Sequence, residues 1–224
     1  MPRTARASAG GLCYHVLNRG NAGTEVFHEA RDYAEFVELL RQETETRNVR
    51  LLAYCLLPDH FHIVLWPRKD GDLSRWMQWL STSHVRRYHS QYQTSGHVWS
   101  GRFRAFPIQA DEHLLTVLRY VEQNPVRLKK LKLRKPERWS WSSVGRELAG
   151  LERPAIEPGP VARGRNWLKS VQQPLTAEEL ALVRHSVVRG TPFGDARWQQ
   201  RIVAKLGLES TMRPRGRPRK TPLG

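Results

Sequence analysis

The chain predicts an α+β fold built on a small antiparallel sheet, and three observations point there. Strand-like apolar runs alternate with amphipathic helical segments in the order β-α-β-β-α-β-α. Two of the runs are joined by a tight turn at Leu57-Pro58-Asp59, which reads as a hairpin. At 224 residues without internal repeats, the chain can hold one well-buried core with an appendage.

Each element has its own local signal. Residues 12–18 (LCYHVLN) read as a strand, 29–47 as an amphipathic helix and 49–57 (VRLLAYCLL) as the next strand. In the run from His60 to Trp66, Phe61, Ile63 and Leu65 share one face while His60, His62, Val64 and Trp66 share the other. Both faces are largely apolar, so this strand should be interior. A helix follows from about Leu73 to Tyr92, then a strand from Phe103 to Gln109. Between Asp111 and Pro125, Leu114, Val117, Leu118 and Val121 recur at helical spacing, with Asp111 as N-cap and Asn124 halted by the proline after it. This order is ferredoxin-like, with the helices expected on one face of the sheet.

Beyond this unit, expected at residues 1–150, Gly150 to Pro160 reads as a linker. Helices are predicted at about 176–189 and 195–207, inside an extension spanning 151–208. Residues 209–224 form a basic tail expected to be disordered and to bind DNA. Its Arg215-Gly216-Arg217-Pro218 resembles an AT-hook, which lies in narrow minor grooves.

Composition indicates the partner. Against 37 Lys plus Arg stand 21 Asp plus Glu, a formal charge of +16 with a pI near 10.7, so an anionic polymer is expected. A membrane surface is disfavoured, because there is no apolar run of transmembrane length and no secretory signal at the N-terminus. The expected location is the cytoplasm, at the nucleoid. Cys13 and Cys55, the only cysteines, fall in apolar strands and read as buried free thiols, which excludes a Cys-rich zinc module.

The candidate chemistry lies in four residues. His60 and His62, two apart on a strand, point the same way and could hold one metal ion. Tyr120 and Asn124, one turn apart at the edge of the apolar stripe of their helix, could be aimed at them by docking that helix on the sheet. A divalent cation, magnesium or manganese, held by His60, His62 and the Asn124 amide oxygen would polarise a scissile phosphate. The Tyr120 hydroxyl, with an ordinary pKa near ~10, needs activation to attack it. Each residue alone has a bland explanation: an inert polar residue at a strand start, a half-buried aromatic, a helix cap.

Arginines interleaved with aromatics, among them Trp76, Trp79, Arg86, Arg87, Trp99, Arg102 and Arg104, could neutralise phosphates and stack unpaired bases. Arg127, Lys129, Lys130, Lys132, Arg134 and Lys135 follow the proposed nucleophile and could track a backbone leaving the site.

With Tyr14-His15-Val16-Leu17-Asn18-Arg19-Gly20, Leu57-Pro58-Asp59-His60-Phe61-His62, Gly96-His97-Val98-Trp99, Gly101-Arg102-Phe103 and Tyr120 followed by Asn124-Pro125-Val126-Arg127, the chain resembles the REP-associated tyrosine transposases. These are relatives of the single-strand transposases of small insertion sequences. Leu128 departs from the alanine expected after Asn-Pro-Val-Arg. The resemblance implies a metal-dependent endonuclease and strand transferase of the HUH class, acting on single-stranded DNA at hairpins called repetitive extragenic palindromes. It implies that Tyr120 becomes joined to a DNA 5′ end, that His60 and His62 bind the metal, and that Asn124 stands where relatives supply a third ligand, with Glu122 or Gln123 as substitutes if the helix is irregular. Arg19, Arg86, Arg87, Trp99, Arg102, Arg104, Arg127, Lys129, Arg215 and Arg217 are the expected DNA contacts; monomer and dimer are both open. The alternatives are a transposase mobilising its own element, and a noncatalytic nucleic-acid-binding regulator on the same scaffold.

Overall fold

A computed structural model of the chain describes residues 8–46, 48–147 and 150–213. Apolar runs form four strands, β1 (Cys13–Arg19), β2 (Val49–Leu57), β3 (His60–Pro67) and β4 (Arg104–Ile108), with α1 (Ala30–Thr46) after β1 and α2 (Asp72–Tyr92) after β3. The strands pair antiparallel in the order β2-β3-β1-β4, so β3 is interior, as its two apolar faces require. The β2–β3 hairpin closes at Pro58-Asp59 as expected. Pro107 sits on an edge strand, where its missing N–H costs no ladder bond.

Alternation divides the sheet's side chains between two cores. Tyr14, Val16, Tyr54, Leu56, Phe61, Ile63 and Leu65 pack with Phe36, Val37 and Leu40 of α1 and Leu73, Trp76, Met77 and Leu80 of α2. Cys13, Cys55, Leu57, Val64, Phe106 and Ile108 pack with Leu114, Val117, Leu118 and Val121 of α3 (Glu112–Glu122). Helices therefore cover both faces, which corrects the single-face expectation: the crossover helices α1 and α2 take one side, and the apolar stripe of α3 requires the other. One extra residue in β2, between the pairs Leu51–Leu65 and Ala53–Val64, makes a bulge that turns both Leu52 and Ala53 to the α3 side.

The termini of α3 follow from its caps. The Asp111 carboxylate accepts from the His113 N–H, in keeping with the expected N-cap. The C-terminus comes earlier than expected: α3 ends at Glu122, and Asn124 opens a new short turn, α4 (Asn124–Arg127), with Pro125 in its first positions, where a missing N–H is tolerated.

The C-terminal segments contribute to the α3-side core. They comprise α5 (Trp167–Gln172), α6 (Ala177–Arg189), α7 (Ala196–Leu206) and α8 (Glu209–Met212). Leu175, Val183 and Phe193 pack among sheet and α3 side chains, and Phe193 bridges to Ile108 at the β4 edge. The other edge is paired as well: the N–H groups of Leu56, Ser143 and Glu157 bond Trp141, Tyr54 and Leu51 carbonyls, so the expected linker at 150–160 runs bonded against β2. The expected tail begins with a helical turn, α8, while Arg215 and Arg217 lie outside the described residues. No described helix is long and apolar enough to cross a membrane. Cys13 and Cys55 are buried free thiols.

Candidate active site

The strand register builds the site. His60 pairs across to Arg19 of β1 and Leu57 of β2, and His62 to Leu17 and Cys55, which puts both imidazoles on the α3 side at the hairpin end of the sheet. That end is fixed by the turn itself. The Asp59 carbonyl accepts from Gly20 N–H, and the Pro58 carbonyl from Val26 and Phe27 N–H groups. A side chain at Gly20 would meet the Thr24 carbonyl oxygen at 2.1 Å, so this crossing demands glycine.

Docking α3 on this face brings the expected residues together. A cleft of about 350 Å³ is lined by His60, His62, Tyr120 and Asn124, with Arg19, Arg102 and Arg104 also at its wall and Val187 and Val188 of α6 opposite. The Tyr120 ring stands edge-on to His62, with centroids 5.7 Å apart. Behind it, Arg127 stacks on the ring at 4.4 Å and donates to the Tyr120 carbonyl oxygen. Burial raises the Tyr120 pKa, and the Arg127 and Arg184 guanidinium groups oppose that rise. Burial first, then the neighbouring His15 and His60, lowers the His62 pKa far enough to keep a neutral imidazole, the form that ligates metals.

The donor set fits a hard or borderline divalent cation. Among the described residues no three His, Cys, Asp or Glu side chains gather as ligands, so a cation here would take two imidazoles and a carboxamide, with the rest from water or phosphate. Asn124 is 7% exposed and its Nδ2 has no hydrogen-bond partner, which leaves the carboxamide free to turn its oxygen to a cation. The substitutes are engaged elsewhere. Glu122 accepts from Ser143 Oγ and Trp167 Nε1, each at 2.7 Å, and Gln123 donates to the Val171 and Gln173 carbonyls.

The expected DNA-contacting residues divide into groups. Arg19, Arg102 and Arg104 are exposed at the cleft, and Lys129 is exposed just beyond α4. Arg86 is exposed on α2 and Arg87 reaches the Glu35 carbonyl of α1; neither lines the cleft. Trp99 corrects the expectation of a stacking platform. It is 5% exposed and enclosed by Phe27, Phe36, Phe61 and His84, because its bridge to Gly20 pulls the loop onto the α1–α2 core. Arg127 is corrected in the same way, since its guanidinium is committed to Tyr120 and to Gln123 Oε1.

Three further residues, none of them among the expected site residues, complete the site. His15 lies under His62 with its Nε2 2.8 Å from His62 Nδ1. Asp59 holds His60 Nδ1 at 2.7 Å, and Asn18 donates to the Gly101 carbonyl, tying the Arg102 loop to β1. Alternation along Cys13, His15, Leu17 and Arg19 would have put His15 on the histidine face once β1 was paired beside β3.

Comparison with known proteins bears on the family and the fold. Residues 8–124 match the family described as transposase, IS200-like. A Haemophilus influenzae protein named as a REP-associated tyrosine transposase is 28% identical over 125 residues, covering 51% of this chain and 69% of that one. The solved structure of a REP-associated tyrosine transposase bound to a REP hairpin superposes with a TM-score of 0.51 at 18% identity, over 69% of this chain and 99% of that chain, and so shares the fold. The family match takes in the whole sheet, α3 and Asn124, more than half of the sequence, and the chain therefore belongs to the IS200-like transposases, enzymes that process DNA.

Proposed function

We propose that this transposase is a metal-dependent, single-strand DNA endonuclease and strand transferase of the HUH class, acting at REP-type hairpins through a 5′-phosphotyrosine intermediate. The observation that supports it best is the convergence of His60, His62, Tyr120 and Asn124 on one arginine-rimmed cleft.

The chemistry follows from what each group offers. The Tyr120 oxygen attacks the scissile phosphorus, forming a Tyr–O–P bond as the P–O3′ bond breaks, and the departing oxygen becomes a 3′ hydroxyl with the proton that Tyr120 gives up. Attack of a 3′ hydroxyl on the phosphotyrosine reverses the step and transfers the strand. Burial holds the Tyr120 proton in place, and Arg127 against the ring favours the charged phenolate. A divalent cation held by His60, His62 and Asn124 would supply Lewis-acid polarisation of the phosphate. Arg19, Arg102 and Arg104 orient the phosphate backbone across the cleft. The hairpin preference rests on likeness to the relatives.

The test is incubation with 5′- or 3′-labelled single-stranded hairpin DNA, with manganese or chelator, resolved on a denaturing gel. A metal-dependent protein adduct on the 5′ end of the cleaved strand, lost in Tyr120→Phe and His62→Ala, is the expected result. Cleavage that survives Tyr120→Phe without an adduct would overturn the nucleophile and favour attack by water; binding with no cleavage across several hairpins would favour a regulator.

A further inference from the structure

Both cleft histidines are held from behind, by different chemistry. His60 Nδ1 lies 2.7 Å from Asp59 Oδ1, and that carboxylate also faces Arg19 at 3.5 Å. His62 Nδ1 lies 2.8 Å from His15 Nε2, in the buried middle of the sheet. With each Nδ1 engaged, Nε2 is the nitrogen each ring can offer to a cation.

We propose that His15 is a positioning residue that locks the ring and the tautomer of His62, so that the two ligands of the cation site are tuned unequally, His60 by an anionic partner and His62 by a neutral one. This rests on the metal-site reading above. For His62 Nε2 to keep its lone pair, Nδ1 must carry the hydrogen and donate it to His15 Nε2, and His15 must then carry its own hydrogen on Nδ1.

The sheet supplies the rigidity. His62 pairs with Leu17, so His15 is its diagonal neighbour on β1, a separation that two imidazoles can bridge. His15 is 1% exposed and stacks on its direct cross-strand partner Phe106, at 4.8 Å and 27°, which fixes the ring plane. An acid at this position would bury an anion beside its cross-strand partners Phe106 and Val64, at a large desolvation cost; an imidazole accepts the same hydrogen without a charge. Asp59, at the hairpin end and beside Arg19, can remain charged. A carboxylate partner draws on the His60 proton and strengthens that ring as a donor, whereas His15 orients His62 without adding negative charge.

Two readouts test this, one of them metal-free. Long-range ¹⁵N–¹H correlation on histidine-labelled, metal-free wild type should show His62 as the Nδ1–H tautomer. Manganese titration, read by EPR of the free ion, should give an affinity about 10–100-fold weaker in His15→Phe. His15→Gln, whose carboxamide oxygen can accept the same hydrogen, should stay within a few-fold of wild type. An Nε2–H tautomer at His62, wild-type manganese affinity in His15→Phe, or His15→Gln as weak as His15→Phe in a protein that melts normally would each overturn the proposal. If His15→Phe fails to fold, the wild-type tautomer and His15→Gln decide. A wild-type titration unchanged by His60→Ala with His62→Ala would instead overturn the metal-site reading, and this proposal with it, whatever the His15 variants do.

Discussion

The two faces of one sheet have been put to different uses. On the α1–α2 side, Phe61, Ile63 and Leu65 of β3 lie under Phe36 and Trp76 in a dry core. On the α3 side the alternate residues of the same strand, His60 and His62, face Tyr120 and Asn124 across a cleft. Period-two alternation makes this possible, because a strand can carry a packing surface and a chemical surface without either displacing the other. The packed face holds the strands in register, and the register places the polar groups. Stability and activity should therefore separate by face.

The sharpest test pairs one substitution from each. Tyr120→Phe removes the proposed nucleophile and keeps the ring, so strand cleavage should fall by at least about 10⁴-fold, ~5.5 kcal/mol in the barrier, while the denaturant midpoint scarcely moves. Gel assay and urea unfolding on the same preparation read both. Trp76→Ala, on the opposite face, empties the site of a side chain with no exposed surface, and should cost about 3–5 kcal/mol of stability by urea unfolding, while the fraction that remains folded cleaves at the normal rate. A large unfolding shift in Tyr120→Phe, or loss of specific activity in Trp76→Ala at temperatures where it is folded, would break the separation.

How far these faces were legible in advance differs between them. The alternation of Phe61, Ile63 and Leu65 against His60 and His62 was visible in the sequence, because a strand's period is strict, and so was the β-α-β-β-α-β-α order. Tyr120 and Asn124 read as one turn apart on a single helix, whereas Asn124 opens α4, and neither could be placed on a face of the sheet, since an apolar stripe says only that it is covered. Hence α3 was expected on the same side as α1 and α2. His15 could not be assigned from sequence because its neighbour comes from a strand 47 positions away, and only the β1–β3 register brings them together. Trp99 misled in the other direction: its flanking glycines read as an exposed loop, whereas its pairing with Gly20 seats it in the core. Short turns such as α4 and α8 leave too few residues to show a period.

A third contrast concerns pH. Glu122, fully buried on α3, has its pKa raised mainly by desolvation, against the pull of Arg163 and of the Ser143 and Trp167 hydrogen bonds. A carboxyl raised in the folded state contributes its stability in full below the unfolded value of 4.5, and loses it as pH rises through the folded value. Glu122→Gln, which keeps the shape, can accept from Trp167 Nε1 and donate to Ser143 Oγ in place of accepting from it, and should flatten the fall in urea midpoint as pH rises above 4.5. Trp76→Ala should leave that fall as steep as in wild type. Equal slopes in wild type and Glu122→Gln would show that the buried carboxylate is satisfied at neutral pH.

The smallest expected effect distinguishes the rim of the cleft from its floor. Arg102 and Arg104 are exposed, so their attraction for DNA is screened and does not depend on base sequence. Replacing both with alanine should lower single-strand affinity a few-fold at moderate salt and reduce the slope of log K against log salt by about 0.7 for each phosphate no longer neutralised. Arg127 differs because its guanidinium is engaged with Tyr120 and Gln123, with burial pulling its pKa down to about 10, so it stays cationic at neutral pH but is already partnered within the protein. Arg127→Met should leave the salt slope unchanged and slow cleavage instead, since it takes away the charge that favours the Tyr120 phenolate. If Arg127→Met lowered the slope as much as an Arg102 change, Arg127 would have to leave the Tyr120 ring and reach the backbone, and the boundary between rim and floor would move inward to the nucleophile itself.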